Sequence, residues 1–142
     1  MRVSEAMTRD VRVCTPGQSI REVAKTMAEI DAGAVPVGEN DRLIGMITDR
    51  DIAVRAVAAG KSPDTPVREV MSEHIHYCFD DEELDDVAQN MGDIRVRRLP
   101  VVNRQKRLVG IVSLGDVART EGSDIVRDAV VGVSQRGGAH KT

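Results

Sequence analysis

The chain has 142 residues, 41% of them hydrophobic, and a net charge of −3, enough for one compact domain or two very small ones. One Phe, one Tyr and no Trp give few platforms for stacking bases, and the negative charge argues against a broad phosphate-backbone footprint, so no nucleic-acid partner is expected. No apolar run approaches the roughly 20 residues that span a bilayer, and the opening MRVSEAMTRD lacks the apolar stretch of a secretion signal; no membrane partner and a cytoplasmic location are expected.

In chain order, VRVC at 11–14 alternates like a short strand. Ile20, Val23, Ala24, Met27 and Ile30 then recur at three- and four-residue steps, which predicts an amphipathic helix with Ser19 as its cap and Gly33 as its stop. Two strands follow, AVPV at 34–37 and RLIGMIT at 42–48, around the turn GEND. A second helix, DRDIAVRAVAAG, ends at Gly60, and KSPDTP at 61–66 is a linker. The pattern then returns. IHYC at 75–78 reads as a strand, and Leu84, Val87, Ala88, Met91 and Ile94 as a helix with an acidic opening. LPVV and RLVGIVS are strands around NRQK, and LGDVARTEG is a helix ending near Gly122. A last helix is expected over 123–133 and a loose tail over 134–142.

The return is a duplication. A shift of 64 places Val3, Glu5, Met7, Cys14, Val23, Ala24, Met27, Pro36 and Val37 on identical residues. After one inserted residue between Val102 and Arg107, a shift of 65 does the same for Arg42, Leu43, Gly45, Asp51 and Ala53, and Thr48 meets Ser113. The units are therefore 1–60 and 67–122, each β-α-β-β-α. One such unit buries too little surface to stand comfortably alone. The expectation is an α/β (α+β) fold whose two units pack face to face about a pseudo-twofold axis, with paired clefts.

Each unit carries G-h-h-[ST]-x-x-D: GMITDRD at 45–51 and GIVSLGD at 110–116. The spacing serves two readings. As a capping pair, the hydroxyl and the acid satisfy backbone N–H groups at a helix start. As a binding site, the same helix start suits a phosphate, while an aspartate one turn in accepts both hydroxyls of a ribose. Gly45 and Gly110 would allow close backbone approach.

The tandem motif, the VPV and LPVV segments and the β-α-β-β-α order together resemble a pair of CBS domains, a Bateman module, over about residues 1–121. The likeness is greatest to small stand-alone bacterial proteins of this kind. It implies a regulatory sensor without catalytic activity for an adenosyl ligand: AMP, ADP, ATP, S-adenosylmethionine or NAD. Carried onto this chain, Asp51 and Asp116 would hold ribose hydroxyls, and Thr48 and Ser113 would touch ribose or phosphate. The backbone at Val35–Pro36 and Leu99–Pro100 would line the adenine. Thr15 would contact the base, and Phe79 at its counterpart would make the two clefts differ. Arg97 and Arg98 stand where the first unit has Gly33 and Ala34, and with Arg50 would face phosphate. The resemblance also implies a homodimer and an effector protein to receive the signal. The competing reading is a ligand-independent dimerisation or interaction module with vestigial clefts.

No Walker-type loop and no G-x-S-x-G elbow occurs in the sequence, and His74, His76 and His140 lack an evident nucleophile partner. Cys14 and Cys78 occupy equivalent strand positions and read as small buried apolar residues. Their spacing from His74 and His76 does not match a structural zinc site, so no metal is expected.

Overall fold

In a computed structural model, which describes residues 1–120 and 123–134, the chain is a mixed α+β protein. Its elements are α1 (Val3–Ala6), α2 (Ile20–Ile30), β1 (Ala34–Glu39), β2 (Arg42–Thr48), a widened π-type helix (Asp51–Val57), a 3-10 turn (Val67–Glu69), β3 (Cys78–Phe79), α3 (Leu84–Ile94), β4 (Arg98–Val102), β5 (Leu108–Ser113), α4 (Leu114–Thr120) and α5 (Ser123–Val133). The expected end at Gly122 and the tail from 135 onward lie outside the described residues.

Compact units and sequence repeats are offset. One unit is Arg12–Ile75; the other joins Met1–Val11 to the chain from His76 onward. Each repeat's lead-in segment thus docks on the opposite repeat, and it does so with the same hydrogen bonds. Val3 N–H donates to the Glu82 carbonyl at 3.0 Å, as Val67 N–H donates to Gln18 at 2.8 Å. Leu84 N–H donates to the Met1 carbonyl at 2.8 Å, as Ile20 N–H donates to Thr65 at 2.9 Å. The V-x-E-x-M repeat at 3–7 and 67–71 marks these segments in the sequence, although periodicity assigns them no element.

In the Arg12–Ile75 unit, β1 and β2 form an antiparallel pair in which Val35 faces Ile47 and Ala34 faces Thr48. Asn40 and Asp41 close the hairpin with positive φ of 54° and 63°, the left-handed pair that matches strand twist. Ile20, Val23 and Met27 of α2 are buried with Val35, Val37, Ile47, Ala56, Val67 and Val70, as the three- and four-residue spacing requires. The Ser19 hydroxyl accepts from Glu22 N–H at 3.2 Å, the expected cap. The stop is not Gly33. Asp31 takes the left-handed conformation, φ 53°, because a short polar side chain tolerates it. Arg95 does the same after α3, φ 61°. The expected strand at 11–14 is reduced to a single parallel bridge between Cys14 and Val37.

The second unit has a three-stranded sheet in the order β3-β4-β5. The strand expected at 75–78 is only Cys78–Phe79, parallel to Val101–Val102. Leu84, Val87, Ala88 and Met91 of α3 are buried against Leu99, Val101, Val112 and Val117. On the far side of α3, α5 packs so closely that a Cβ on Gly132 would collide with the Gly92 backbone. Among the described residues no helix is long and apolar enough to cross a membrane.

Cys14 is 5% and Cys78 2% exposed, and their thiols donate to the Pro36 and Pro100 carbonyls at 3.6 and 3.9 Å. Burial pushes the Cys14 thiol up to about 11. It pushes Cys78 up to about 12, with Glu82 and Asp80 adding negative charge nearby. The unfolded chain therefore sheds these protons first as pH rises above 9, and stability falls there. Each thiol should cost about 1.4 kcal/mol per pH unit in that window. Urea unfolding at pH 8, 9 and 10 should show the decline, and Cys14→Ala with Cys78→Ala should flatten it. An unchanged slope in the double variant would assign the decline to other groups.

Candidate ligand site

Both G-h-h-[ST]-x-x-D motifs fold alike. Strand β2 ends at Thr48 and the chain turns directly into helix. Thr48 N–H donates to Asp51 Oδ2 at 3.0 Å, and Asp51 N–H donates to Thr48 Oγ1 at 3.0 Å. Strand β5 ends at Ser113 in the same way: Ser113 N–H donates to Asp116 Oδ2 at 2.9 Å, and Asp116 N–H donates to Ser113 Oγ at 3.2 Å. These are reciprocal capping boxes. The capping reading of the spacing is therefore correct in both halves, and it uses one oxygen of each carboxylate. It leaves Oδ1.

What meets Oδ1 differs. Arg119 donates a charge-assisted hydrogen bond to Asp116 Oδ1 from the next turn of α4, and the Asp116 side chain is 4% exposed. At Asp51 the Arg55 Nη1 stands 3.9 Å from Oδ1 and the carboxylate is 17% exposed. Arg55 donates instead to the Met71 carbonyl at 3.1 Å. Neither arginine was among the residues the motif suggested. The signal was present all the same, since D-x-x-x-R and D-x-x-R put acid and base on one helix face.

Of the other expected residues, Val35, Pro36, Arg98, Leu99 and Pro100 lie in the strands, and Thr15, Arg50 and Arg97 lie outside them. Val35 and Leu99 are buried. Pro36 faces Met46 and Pro100 faces Ile111 across the ladders. The Pro36 carbonyl already accepts Cys14 N–H at 3.0 Å. Arg98 opens β4 directly opposite Ser113, and the carbonyl of exposed Arg97 accepts Leu114 N–H at 3.0 Å. Arg50 is exposed beside Asp51. Thr15 is exposed, its N–H donating to Gln18 Oε1 at 2.8 Å, and Phe79 N–H repeats this with Glu82 at 2.9 Å.

Two further chemical differences between the halves fall at matched positions. Phe79, where the first half has Thr15, carries the Arg104 guanidinium 4.0 Å above its ring, and the Tyr77 ring stands T-shaped to it at 5.8 Å between centroids. Arg104 is held there by two hydrogen bonds to Asp81, at 2.8 and 2.7 Å. That contact lowers the Asp81 pKa. The second difference is at Gly33, where a Cβ would sit 3.0 Å from the Asp49 carboxylate; the second half has Arg97 and Leu114 at these places. A cavity of about 350 Å³ between α3 and α5, lined by Gln89, Asp93, Arg95 and Asp128 among others, contains none of the expected ligand residues. Among the described residues no group of three His, Cys, Asp or Glu side chains gathers to hold a metal.

Two copies of one strand–hydroxyl–acid–helix unit, built on duplicated α+β halves, define a CBS-domain pair, and the chain belongs to the CBS-domain family: the CBS domain matches residues 3–57 and 67–122. It is 46% identical over 116 residues to the CBS domain-containing protein YhcV of Bacillus subtilis, covering 82% of each chain. The crystal structure of Hypoxic Response Protein I with two coordinated zinc ions is similar at TM-score 0.78 and 35% identity, covering 86% of this chain and all of that one. The CBS domain pair of protein MJ0100, in complex with 5′-methylthioadenosine and S-adenosyl-L-methionine, is similar at TM-score 0.74 and 29% identity, covering 84% and 98%.

Proposed function

We propose that the chain is a non-catalytic regulatory module that binds an adenosyl ligand through its ribose diol at Asp51 and Asp116. The observation that carries this is the fixed carboxylate. In each half the reciprocal cap anchors Oδ2 and so orients the group before any ligand arrives, which lowers the ordering cost of binding. Thr48 and Ser113 flank the sugar. Val35–Pro36 and Leu99–Pro100 border the base, with Thr15 at its edge in one half. Arg50, Arg97 and Arg98 offer cations to a phosphate where the ligand has one. The related pair bound to 5′-methylthioadenosine and S-adenosylmethionine supports the ligand class; AMP, ADP, ATP and NAD share the same diol. The module acts as a homodimer that passes its state to an effector protein.

Calorimetric titration of nucleotide-free protein with S-adenosylmethionine, 5′-methylthioadenosine, AMP, ATP and NAD tests this. At least one should bind, and its 2′,3′-dideoxy analogue should bind tenfold or more weakly, since each charge-assisted hydrogen bond lost is about 1.5–3 kcal/mol. An analogue that binds equally well removes the role of the aspartates. The second reading, an interaction module without a ligand, is favoured by Asp116, both of whose carboxylate oxygens are already engaged within the chain. Silence with all five ligands would select it.

A further inference from the structure

We propose that Arg119 latches the Asp116 carboxylate, so that the two ribose sites are unequal: Asp51 takes a diol directly, and Asp116 does so only on release of an arginine. This rests on the adenosyl-binding reading and adds to it an order of occupancy.

The latch follows from three features of the second half. Asp116 Oδ2 is committed to Ser113 N–H at 2.9 Å, so Oδ1 is the oxygen left for a diol, and Arg119 holds it. Thr120 Oγ1 donates to the Asp116 carbonyl at 2.9 Å, which ties the same turn of α4 to the aspartate. At 4% side-chain exposure the carboxylate has little water to exchange for its arginine. The first half shares the Oδ2 cap, Thr48 N–H donating at 3.0 Å, and lacks the rest. Arg55 is anchored on the Met71 carbonyl, its 3.9 Å separation from Asp51 Oδ1 is beyond hydrogen-bond range, and the carboxylate is more open. The cause is written in the sequence. In the shift of 65, Thr120 occupies the place of Arg55, and Arg119 that of Val54, which is 51% exposed. The arginine has moved one residue closer to the acid, onto the i+3 position of an α-helical turn instead of the i+4 position of a widened one.

The latch is modest, because the Arg119 side chain is 69% exposed and solvent and salt screen its charge. Its release should change affinity about three- to tenfold.

Equilibrium dialysis with uncharged 5′-methylthioadenosine reads this. Wild type should bind one equivalent at least about threefold tighter than a second. In Asp51→Ala, which isolates the Asp116 site, adding Arg119→Ala should tighten binding about three- to tenfold, and raising salt should shrink that gain. Asp51→Asn with Arg119→Gln serves as a second pair should the alanine variants fold poorly. Unchanged or weaker binding on loss of Arg119, or two equal sites in wild type, overturns the latch and leaves adenosyl binding standing. No binding by wild type or any variant overturns both. Binding that appears only once Arg119 is removed supports both.

Discussion

Asp116→Ala is expected to lose about 2 kcal/mol of stability, from a missing cap and an unpaired Ser113 N–H, and more than tenfold in affinity for the proposed adenosyl ligand at its own site. The two losses have separate origins. Stability depends on Oδ2, which accepts from Ser113 N–H at 2.9 Å. The exposed Arg119 partner adds little to it. Binding, on the proposed function, depends on Oδ1. Asp51→Ala should cost a similar amount of stability, since Thr48 N–H would be stranded at a residue only 3% exposed. Urea unfolding of both variants measures the first loss and calorimetry the second.

Asparagine separates the roles. In Asp51→Asn the amide oxygen can still accept Thr48 N–H, and Arg55 stands 3.9 Å away, so the fold should hold to within about 1 kcal/mol while the charge-assisted bonds to the diol are lost. In Asp116→Asn the amide N–H₂ would be turned toward the Arg119 guanidinium, donor against donor, and the stability loss should exceed that at Asp51. If Asp51→Asn binds as tightly as wild type, the carboxylate is a cap and nothing more.

Much of this was legible in the chain because duplication prints each rule twice. Ser19 and the spacing of Ile20, Val23 and Met27 fix the start and the buried face of α2, and the G-h-h-[ST]-x-x-D motif locates both capping boxes. Three things escaped for physical reasons. Periodicity needs length, so the four residues of α1 and the three of the 3-10 turn carry too few positions to show a period. Strand reading assumes a ladder, yet Cys14 makes one bridge and Cys78–Phe79 only two pairs. Propensity favours glycine as a helix stop, but Asp31 reaches the left-handed region two residues before Gly33. At the site, the acid and hydroxyl were readable from the motif. The arginines on Oδ1 were readable only as helix spacing, and which one closes on its acid depends on whether the turn is α-helical or widened.

Gly110→Ala should be among the more damaging small substitutions in the chain, at about 3 kcal/mol. Glycine within a strand suggests close backbone approach, and at Gly45 and Gly110 the approaching backbone is the protein's own. Thr8 and Ile111 exchange two hydrogen bonds, at 2.9 and 3.0 Å, and this bridge seats the N-terminal segment on β5. A Cβ on Gly110 would lie 2.8 Å from the Thr8 carbonyl and 2.6 Å from Met7 Sδ. The methionine can yield; the carbonyl cannot without breaking the bridge. Overpacking of about 1–3 kcal/mol therefore adds to the loss of two hydrogen bonds at about 1 kcal/mol each. Gly45→Ala meets the Ser72 carbonyl at 2.9 Å and threatens the matching bridge between Met46 and Ser72. Gly115→Ala is the control. Its Cβ would have only ordinary contacts, 3.5 Å from Ser113 Oγ and Arg119 Nη1, and alanine in α4 should be neutral or stabilising by up to about 1 kcal/mol. Equal stability of all three variants would mean that the lead-in segments add nothing to the fold. The expected ranking, Gly110 and Gly45 far below Gly115, would show that the seating of each lead-in segment on the opposite repeat contributes to the stability of its unit.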